Sequence, residues 1–594
     1  MNSPRTYLPH GLCTTILLVA ACTKLESGSD QFAATGGQGS TNVTSAQGGA
    51  GDGGRTADES GSASGGSTAG SGGASKFASA GVTAAGGASS SGGASNSGGA
   101  SSVTCTNPQG FNGLGCYSCA PTNITTFESA CTDSLCTSFP NSKRLTKLKP
   151  DGALPSLPIV SAGGSSAGGS GAGGSGAGGT SAVSGGTSAG GTTSGTTGYS
   201  PFACESLKSQ GTVVYVTGSS ASKPFLQQIA QQLSYSNVYI VYTSTGSCVG
   251  VDAILNQTLM IAGPAPAPAT TALYWKNSAS TGDSCALPSA GVPADIGISD
   301  VFAQTCPGFE VASLEAQQVR DAHGPIQTMT FVVPPASKYT EISAQAAYFV
   351  FGFGADGGVL DATVSHGIWN DEAYLFQRSP TSGTQAMIAA AIGVPAASWK
   401  GKRHSASADV AASILAAGSN VDTADKALGI LAADYIDSNN IRAQIRMLAF
   451  QDTNQPCAVY PDSTADTHDK RNVRDGHYPI WSPMHLLYRV DQSGSPANAS
   501  NKQQILDILG YFSGSKALPN GIKLLDVYAQ SGLIPECAMR VSRLKDGGNL
   551  QPYVPSSPCA CVFEAKAGAT TCKTCTVQGD CAAGEICSIG YCEK

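Results

Sequence analysis

Two glycine-rich tracts divide this chain and limit where a folded core can form. The first runs from Thr23 to about Ser102 and repeats GGAS; the second, from Ser161 to about Thr197, repeats SGAGG and GGT. Both hold almost no aromatic or branched apolar residues, so neither can bury enough surface to offset the entropy of ordering it. They are expected to be disordered tethers, the first with a span of roughly 50 Å by Gly-rich chain statistics. Folded structure is therefore expected in three stretches, 105–160, 211–548 and 559–594.

The N-terminus reads as an export signal over residues 1–21, with Arg5 ahead of the short apolar stretch Leu12 to Ala21. Ten or so apolar residues are too few for a membrane-spanning helix, which needs roughly 20. The junction Val19-Ala20-Ala21-Cys22 resembles the lipobox of bacterial lipoproteins. That resemblance implies a diacylglycerol on Cys22, cleavage before it, and a spacer over 22–104. No later segment is apolar enough to span a membrane, so the lipid is the only membrane anchor expected.

The net charge of −7 is mild for 594 residues, and no basic block occurs. Nucleic acid is excluded as a partner on that ground, because neutralising phosphates needs clustered Lys and Arg. The 20 cysteines fit an oxidising compartment. Once Cys13 leaves with the signal and Cys22 takes lipid, an even number remains. Five lie between Cys105 and Cys136 and seven between Cys559 and Cys592; Cys204, Cys248, Cys285, Cys306, Cys457 and Cys537 are spread between. Cys116-Tyr-Ser-Cys119 is a CxxC, but it lacks both a second close ligand pair for zinc and the βαβ setting of a redox motif. Both clusters, 105–160 and 559–594, read as small metal-free modules held by disulfides.

From Gly211 to about Gly548 the texture changes. Runs such as TVVYV and VYIVY read as buried strands, while PFLQQIAQQL and ADKALGILAADYI have helical spacing. Their alternation predicts an α/β fold with a largely parallel sheet. Two motif matches carry no chemistry. Gly164 to Gly168 fits GxSxG inside a Gly/Ser repeat with no strand before it. Gly352 to Gly357 fits GxGxxG but opens no clear helix. The histidines, among them His366, His404, His468, His477 and His485, form no close ligand pair in sequence and read as surface or core residues.

Four segments form a coherent anion site. Thr217-Gly-Ser-Ser-Ala-Ser222-Lys223-Pro224 follows a strand and opens a helix whose first turn tolerates Pro224. Thr245-Gly246-Ser247-Cys248 repeats that arrangement. Ala294 to Asp300 is a strand ending in a carboxylate, and Arg378 to Thr384 links a strand to the helix QAMIAAAI. Ser/Gly turns at helix starts are ready anion sites, though each alone is also an ordinary N-cap.

Together and in this order they resemble the phosphate receptor of the phosphate-specific ABC importer, of the periplasmic-binding-protein superfamily. TGSSASKP is similar to that family's TGAGATFP, TSTGSCVGVDAI to its GIGSSGGVKQI, ADIGISD to its VDFGASD and RSPTSGT to its RxDGSGT; Trp369-Asn-Asp371 matches its W-x-D. The resemblance covers Gly211 to Gly548. It implies a two-lobed periplasmic-binding-protein fold with a hinge near FVVPP and HYPIW, flanked by the glycine-rich tethers and the Cys-rich modules. Lobe one would comprise 211–334 and 474–548, lobe two 335–470. The phosphate-binding residues implied are Ser222, Ser247, Asp300, Arg378, Ser382, Gly383 and Thr384. Arg378 would supply a planar cationic fork and Asp300 an acceptor for the proton that phosphate retains.

This chain departs from the family in three places. The Asp of RxD is Pro380, a Phe beside the first hydroxyl is Lys223, and Gly263 to Val292 is inserted with Cys285. An oxyanion, phosphate or a relative, remains the expected ligand. No catalytic residue, metal or cofactor is expected, so the chain reads as a binding protein and not an enzyme. The expected partner is an ABC permease; a surface adhesion or sensory lipoprotein reusing the fold is the alternative.

Overall fold

TVVYV and VYIVY form two neighbouring parallel strands, β1 (Thr212–Gly218) and β2 (Val238–Ser244), buried along nearly their whole length. They belong to a computed structural model that describes residues 116–158 and 202–593, apart from 118, 262–271, 278–280, 310–313, 362, 364–365 and 569. The export signal, Cys22, both glycine-rich tracts and the GxSxG match lie outside the described residues.

Between β1 and β2 runs α1 (Lys223–Ser234), whose Phe225, Leu226, Ile229, Ala230 and Leu233 are buried on one face. The 3.6-residue period puts them together, and Pro224 sits in the first turn, where no backbone donor is lost. After β2 come α2 (Ser247–Leu255), the short strands β3 (Ala272–Tyr274) and β4 (Asp283–Cys285), β5 (Ile296–Ser299), and the long β6 (Val319–Val333). The chain continues through α3 (Ala344–Phe353), β7 (Leu375–Arg378), α4 (Gly383–Ile392), β8 (Lys402–His404), α5 (Ser407–Ala417), β9 (Leu428–Ala432), α6 (Ala433–Ser438) and β10 (Arg446–Met447). It returns along β11 (Trp481–Arg489) to α7 (Lys502–Ser513) and α8 (Leu524–Ser531).

One sheet contains all eleven strands, in the order β8-β7-β9-β6-β11-β5-β1-β2-β3-β4, with β10 beside β6. β6 joins the two lobes. From Val319 to Thr328 it pairs with β11, and from Met329 to Val332 with β9, both antiparallel. A single strand thus changes partner at the lobe boundary. The strands flanking this centre are parallel: β1 with β2 and β5 in lobe one, β7 with β8 and β9 in lobe two. The largely parallel sheet that was expected is found only in these four pairings; the crossing strands, β5 with β11, and the edge strands β3 and β4 all pair antiparallel, because the chain re-crosses between lobes and ends the lobe-one edge in a hairpin. The result is a two-lobed α/β fold.

Lobe one packs α1 against α7 and α8, with the Phe225 and Phe512 rings edge-on at 4.9 Å. GxGxxG falls at the end of α3 and in the short helix Gly354–Asp356, away from any strand-to-helix turn.

The segment 116–158 is not the self-contained knot expected of it. Cys116 pairs with Cys131, but Cys136 pairs with Cys457, 321 residues away. The strand Cys136–Thr137 joins Ala458–Val459, Ala449–Gln451 and Glu341–Ser343 in a second, four-stranded sheet. Phe127, Phe139 and Leu145 enter the same core as Phe331 and Phe450. So short a segment cannot bury those side chains alone, and it reaches closure by docking on lobe two.

The C-terminal cluster has three internal disulfides, Cys561–Cys572, Cys575–Cys587 and Cys581–Cys592. Its seventh cysteine, Cys559, pairs outward with Cys537. Helix α9 (Ala560–Lys566) places Val562 and Phe563 in the main core. Cys204–Cys285 and Cys248–Cys306 brace lobe one.

Candidate anion-binding site

The four turns singled out in the sequence all lie at the carboxyl ends of parallel strands, the usual place for a ligand crevice in an open α/β sheet. β1 ends at Gly218, β2 at Ser244, β5 at Ser299 and β7 at Arg378. Backbones approach closely here. A Cβ on Gly218 would stand 2.0 Å from the Ile298 carbonyl oxygen, so this position excludes any other residue. Gly246 has φ 109°, a conformation that side chains resist, and it turns the chain straight into α2.

Ser247 is the centre of the contacts. Its hydroxyl donates to Asp300 Oδ2 at 3.1 Å and accepts from the backbone N–H groups of Asp300 and Gly383, both at 3.2 Å. Cys248 N–H donates to the Thr381 carbonyl at 3.0 Å. Ser247 and Asp300 belong to lobe one and Gly383 to lobe two, so these bonds close the cleft. Gly383 has no room for a side chain: a Cβ would lie 2.4 Å from Ser247 Oγ and 2.8 Å from Asp300 Cβ.

Arg378 is 2 % exposed. One terminal nitrogen donates to the Ser407 hydroxyl; the other donates to Ser220 Oγ at 3.0 Å and to the Ser405 carbonyl at 2.9 Å. Its Nε has no partner, and among the described residues no carboxylate forms an ion pair with it. Burial pulls its pKa down to about 10, against the opposing charges of Asp300 and Asp409. Asp300 is equally buried, and its Oδ1 has no partner. Burial raises its pKa, opposed by Ser219, Ser247 and the Arg378 charge. Buried ionisable groups with unmet hydrogen-bonding atoms are costly, and they are rare unless a ligand or function accounts for them. An oxyanion would meet both needs, accepting from Arg378 and, if protonated, donating to Asp300.

The remaining expected residues are placed as follows. Ser222 is buried at the start of α1, but its hydroxyl donates to the Ser219 carbonyl at 2.8 Å, within its own turn. Ser382 and Thr384 are buried on either side of Gly383 at the start of α4; the Ser382 N–H donates to the Ser379 carbonyl at 2.9 Å. Lys223 and Pro380 are half-buried. Asp371 caps the short helix Glu372–Tyr374 ahead of β7, and Trp369 packs on Tyr339 at 5.2 Å.

Sequence reasoning passed over several neighbours. Ser219 and Ser220 lie in the same TGSSASKP turn as Ser222, and Ser405 and Ser407 form another serine turn at a helix start; the strand–turn–helix pattern itself was the available signal. Asp434, at the start of α6, gave none. It is 3 % exposed, accepts from Gln327 Nε2 at 3.3 Å and has an unpartnered Oδ1. Burial and then the charge of Asp300 push its pKa well above the usual carboxylate range. It places a second acid near Asp300, where Pro380 withholds one.

No protein-family model and no curated protein matches the chain. Solved structures do. A putative phosphate ABC transporter substrate-binding protein with bound phosphate from Clostridium perfringens is 12 % identical, with 54 % of this chain and 99 % of that one covered at a TM-score of 0.35. An ABC-type phosphate transport receptor from Vibrio cholerae is 12 % identical, covering 54 % and 99 % at 0.32. A possible phosphate binding protein from Planctomyces limnophilus is 15 % identical, covering 50 % and 90 % at 0.31.

Proposed function

We propose that the interlobe cleft binds phosphate or a related oxyanion, with Ser222, Ser247, Asp300, Arg378, Ser382, Gly383 and Thr384 around it. The observation that carries this reading is the buried Arg378 guanidinium, which has an unpartnered Nε and no carboxylate bonded to it among the described residues. Arg378 would hold oxygens of the anion, the start of α4 would face its negative charge, and Asp300 would accept its proton. The groups are suited to binding and desolvating an anion, and no bond-making step is assigned to them. Titrating the full chain calorimetrically with phosphate, sulfate and phosphonates tests the reading. Saturable uptake of one equivalent is expected; no uptake of any oxyanion would overturn it.

For the cellular role, the sequence supports the following reading. The chain would be an extracytoplasmic receptor, anchored only by lipid on Cys22, that delivers its anion to an ABC permease. The described disulfides fit an oxidising location, and no described helix is long and apolar enough to cross a membrane. Fatty-acid labelling lost in Cys22→Ala would support the anchor; equal labelling of both would remove it. The alternative, a surface adhesion or sensory lipoprotein, draws on one observation: cysteine-stapled segments at both ends are docked on the binding body.

A further inference from the structure

The strands that join the lobes carry a second polar cluster, outside the anion-binding residues. Asp321 and His323 stand two apart on β6 and so share a face. His485 on β11 lies directly across the ladder from His323, next to an irregularity between Pro483 and His485 that re-aims the chain. Asp321 Oδ2 is 2.7 Å from His485 Nδ1 and 3.7 Å from His323 Nε2; the imidazole centroids are 5.0 Å apart. One ligand atom from each residue falls within 4.8 Å of the others. The second Asp321 oxygen, Oδ1, is buried and has no partner among the described residues.

The surroundings suit an ion. Phe302 packs on both rings, with centroids 4.3 Å from His485 and 6.1 Å from His323, and limits their rotation. The His485 side chain is fully buried, whereas that of His323 is 43 % exposed, which leaves one side open to solvent. A cavity of about 50 Å³, lined in part by His323, Glu536 and Tyr553, has room for water beside it.

We propose that Asp321, His323 and His485 bind a divalent transition-metal ion, for which zinc is the best match. Two imidazoles and a carboxylate are nitrogen and oxygen donors of the zinc type, whereas magnesium and calcium favour oxygen donors alone. Ligand atoms about 2.0–2.2 Å from a tetrahedral ion stand about 3.4 Å apart. The 2.7 Å contact must therefore lengthen and the 3.7 Å contact shorten, both by less than 1 Å. For His485 Nδ1 to ligate, the ring proton must sit on Nε2, where the Ser482 hydroxyl at 3.5 Å can accept it. Water from the exposed side completes the coordination.

The test is a calorimetric titration of chelator-stripped full chain with zinc in phosphate-free buffer, with magnesium as control. One equivalent of zinc is expected to bind, and magnesium is not. His323→Ala, chosen because that side chain is half-exposed, should weaken zinc at least about tenfold, and Asp321→Asn should do the same. His323→Ala should melt like wild type without metal. Cobalt(II) should give visible absorption bands in the wild type that His323→Ala lacks. No zinc uptake by the wild type, or equal uptake by His323→Ala, overturns the site and leaves a hydrogen-bonded cluster only.

Discussion

Gly383 donates its backbone N–H to the Ser247 hydroxyl at 3.2 Å, and that bond joins the start of α4 to the start of α2. The contact depends on glycine for space, not for an unusual backbone angle. In Gly383→Ala the new methyl would be forced against Ser247 Oγ and Asp300, which come from the opposite lobe. The cleft should then fail to close fully, and phosphate affinity should fall by tenfold or more, since about 1.4 kcal/mol is tenfold. Calorimetry measures the affinity. Unchanged binding would mean that closure at this point is dispensable.

Arg378 should dominate affinity. Hydrogen bonds to charged groups contribute roughly 1.5–3 kcal/mol each. Arg378→Ala should therefore weaken phosphate by about two orders of magnitude. Arg378→Lys keeps the charge but loses the planar fork, so it should fall between the two. An effect under threefold in Arg378→Ala would place the site elsewhere.

Selectivity between phosphate and sulfate should rest on Asp300. Phosphate keeps a proton near neutral pH and can donate it; sulfate offers the buried carboxylate only a repelled lone pair. Asp300→Asn should lose phosphate affinity and gain sulfate affinity. The pH sign follows from the raised pKa. As pH falls through that raised value, Asp300 takes up a proton and can no longer accept one, so the preference for phosphate should fade on acidification. Competition titrations at acidic and neutral pH read this directly, and a preference that survives in Asp300→Asn would remove Asp300 as the discriminator.

Stability should carry the mark of Glu128, which docks beside Asp452 on the body. Burial, then the neighbouring Asp452, raises its pKa from 4.5 to about 9. The folded state therefore holds a proton that the unfolded chain releases, and stability should decline as pH rises between those two values. One proton gives a slope of at most about 1.4 kcal/mol per pH unit. Glu128→Gln should flatten that decline. Denaturant midpoints across the window measure it, and an unchanged slope would assign the proton elsewhere.

The legible part of this fold was the local part. TVVYV followed by a serine turn and PFLQQIAQQL specifies a strand, a turn and a helix from adjacent residues, so the turns that meet in the cleft were readable one by one. Arg378, Asp300 and Ser247 could be named because each ends or begins such a unit. What depends on distant pairing was hidden. His485 and Asp321 are 164 residues apart, and only the antiparallel crossing of β6 and β11 brings them together. Asp434 gave no signal because its burial and its bond to Gln327, 107 residues away, come from pairing that the local sequence does not encode. Ser222 was legible as a position but not in its direction, because its hydroxyl donates to the Ser219 carbonyl within its own turn.

The bond between Cys136 and Cys457 closes a covalent ring through the body, and the glycine-rich stretch 161–199 lies inside that ring. A protease cutting there would leave one molecule under oxidising conditions and two after reduction. Tension would follow the same route. A pull applied upstream of Cys116 would pass through Cys136 into Cys457, that is, into lobe two, and bypass the stretch 161–199. In a molecule held at its N-terminus, load would therefore enter the folded body at Cys457.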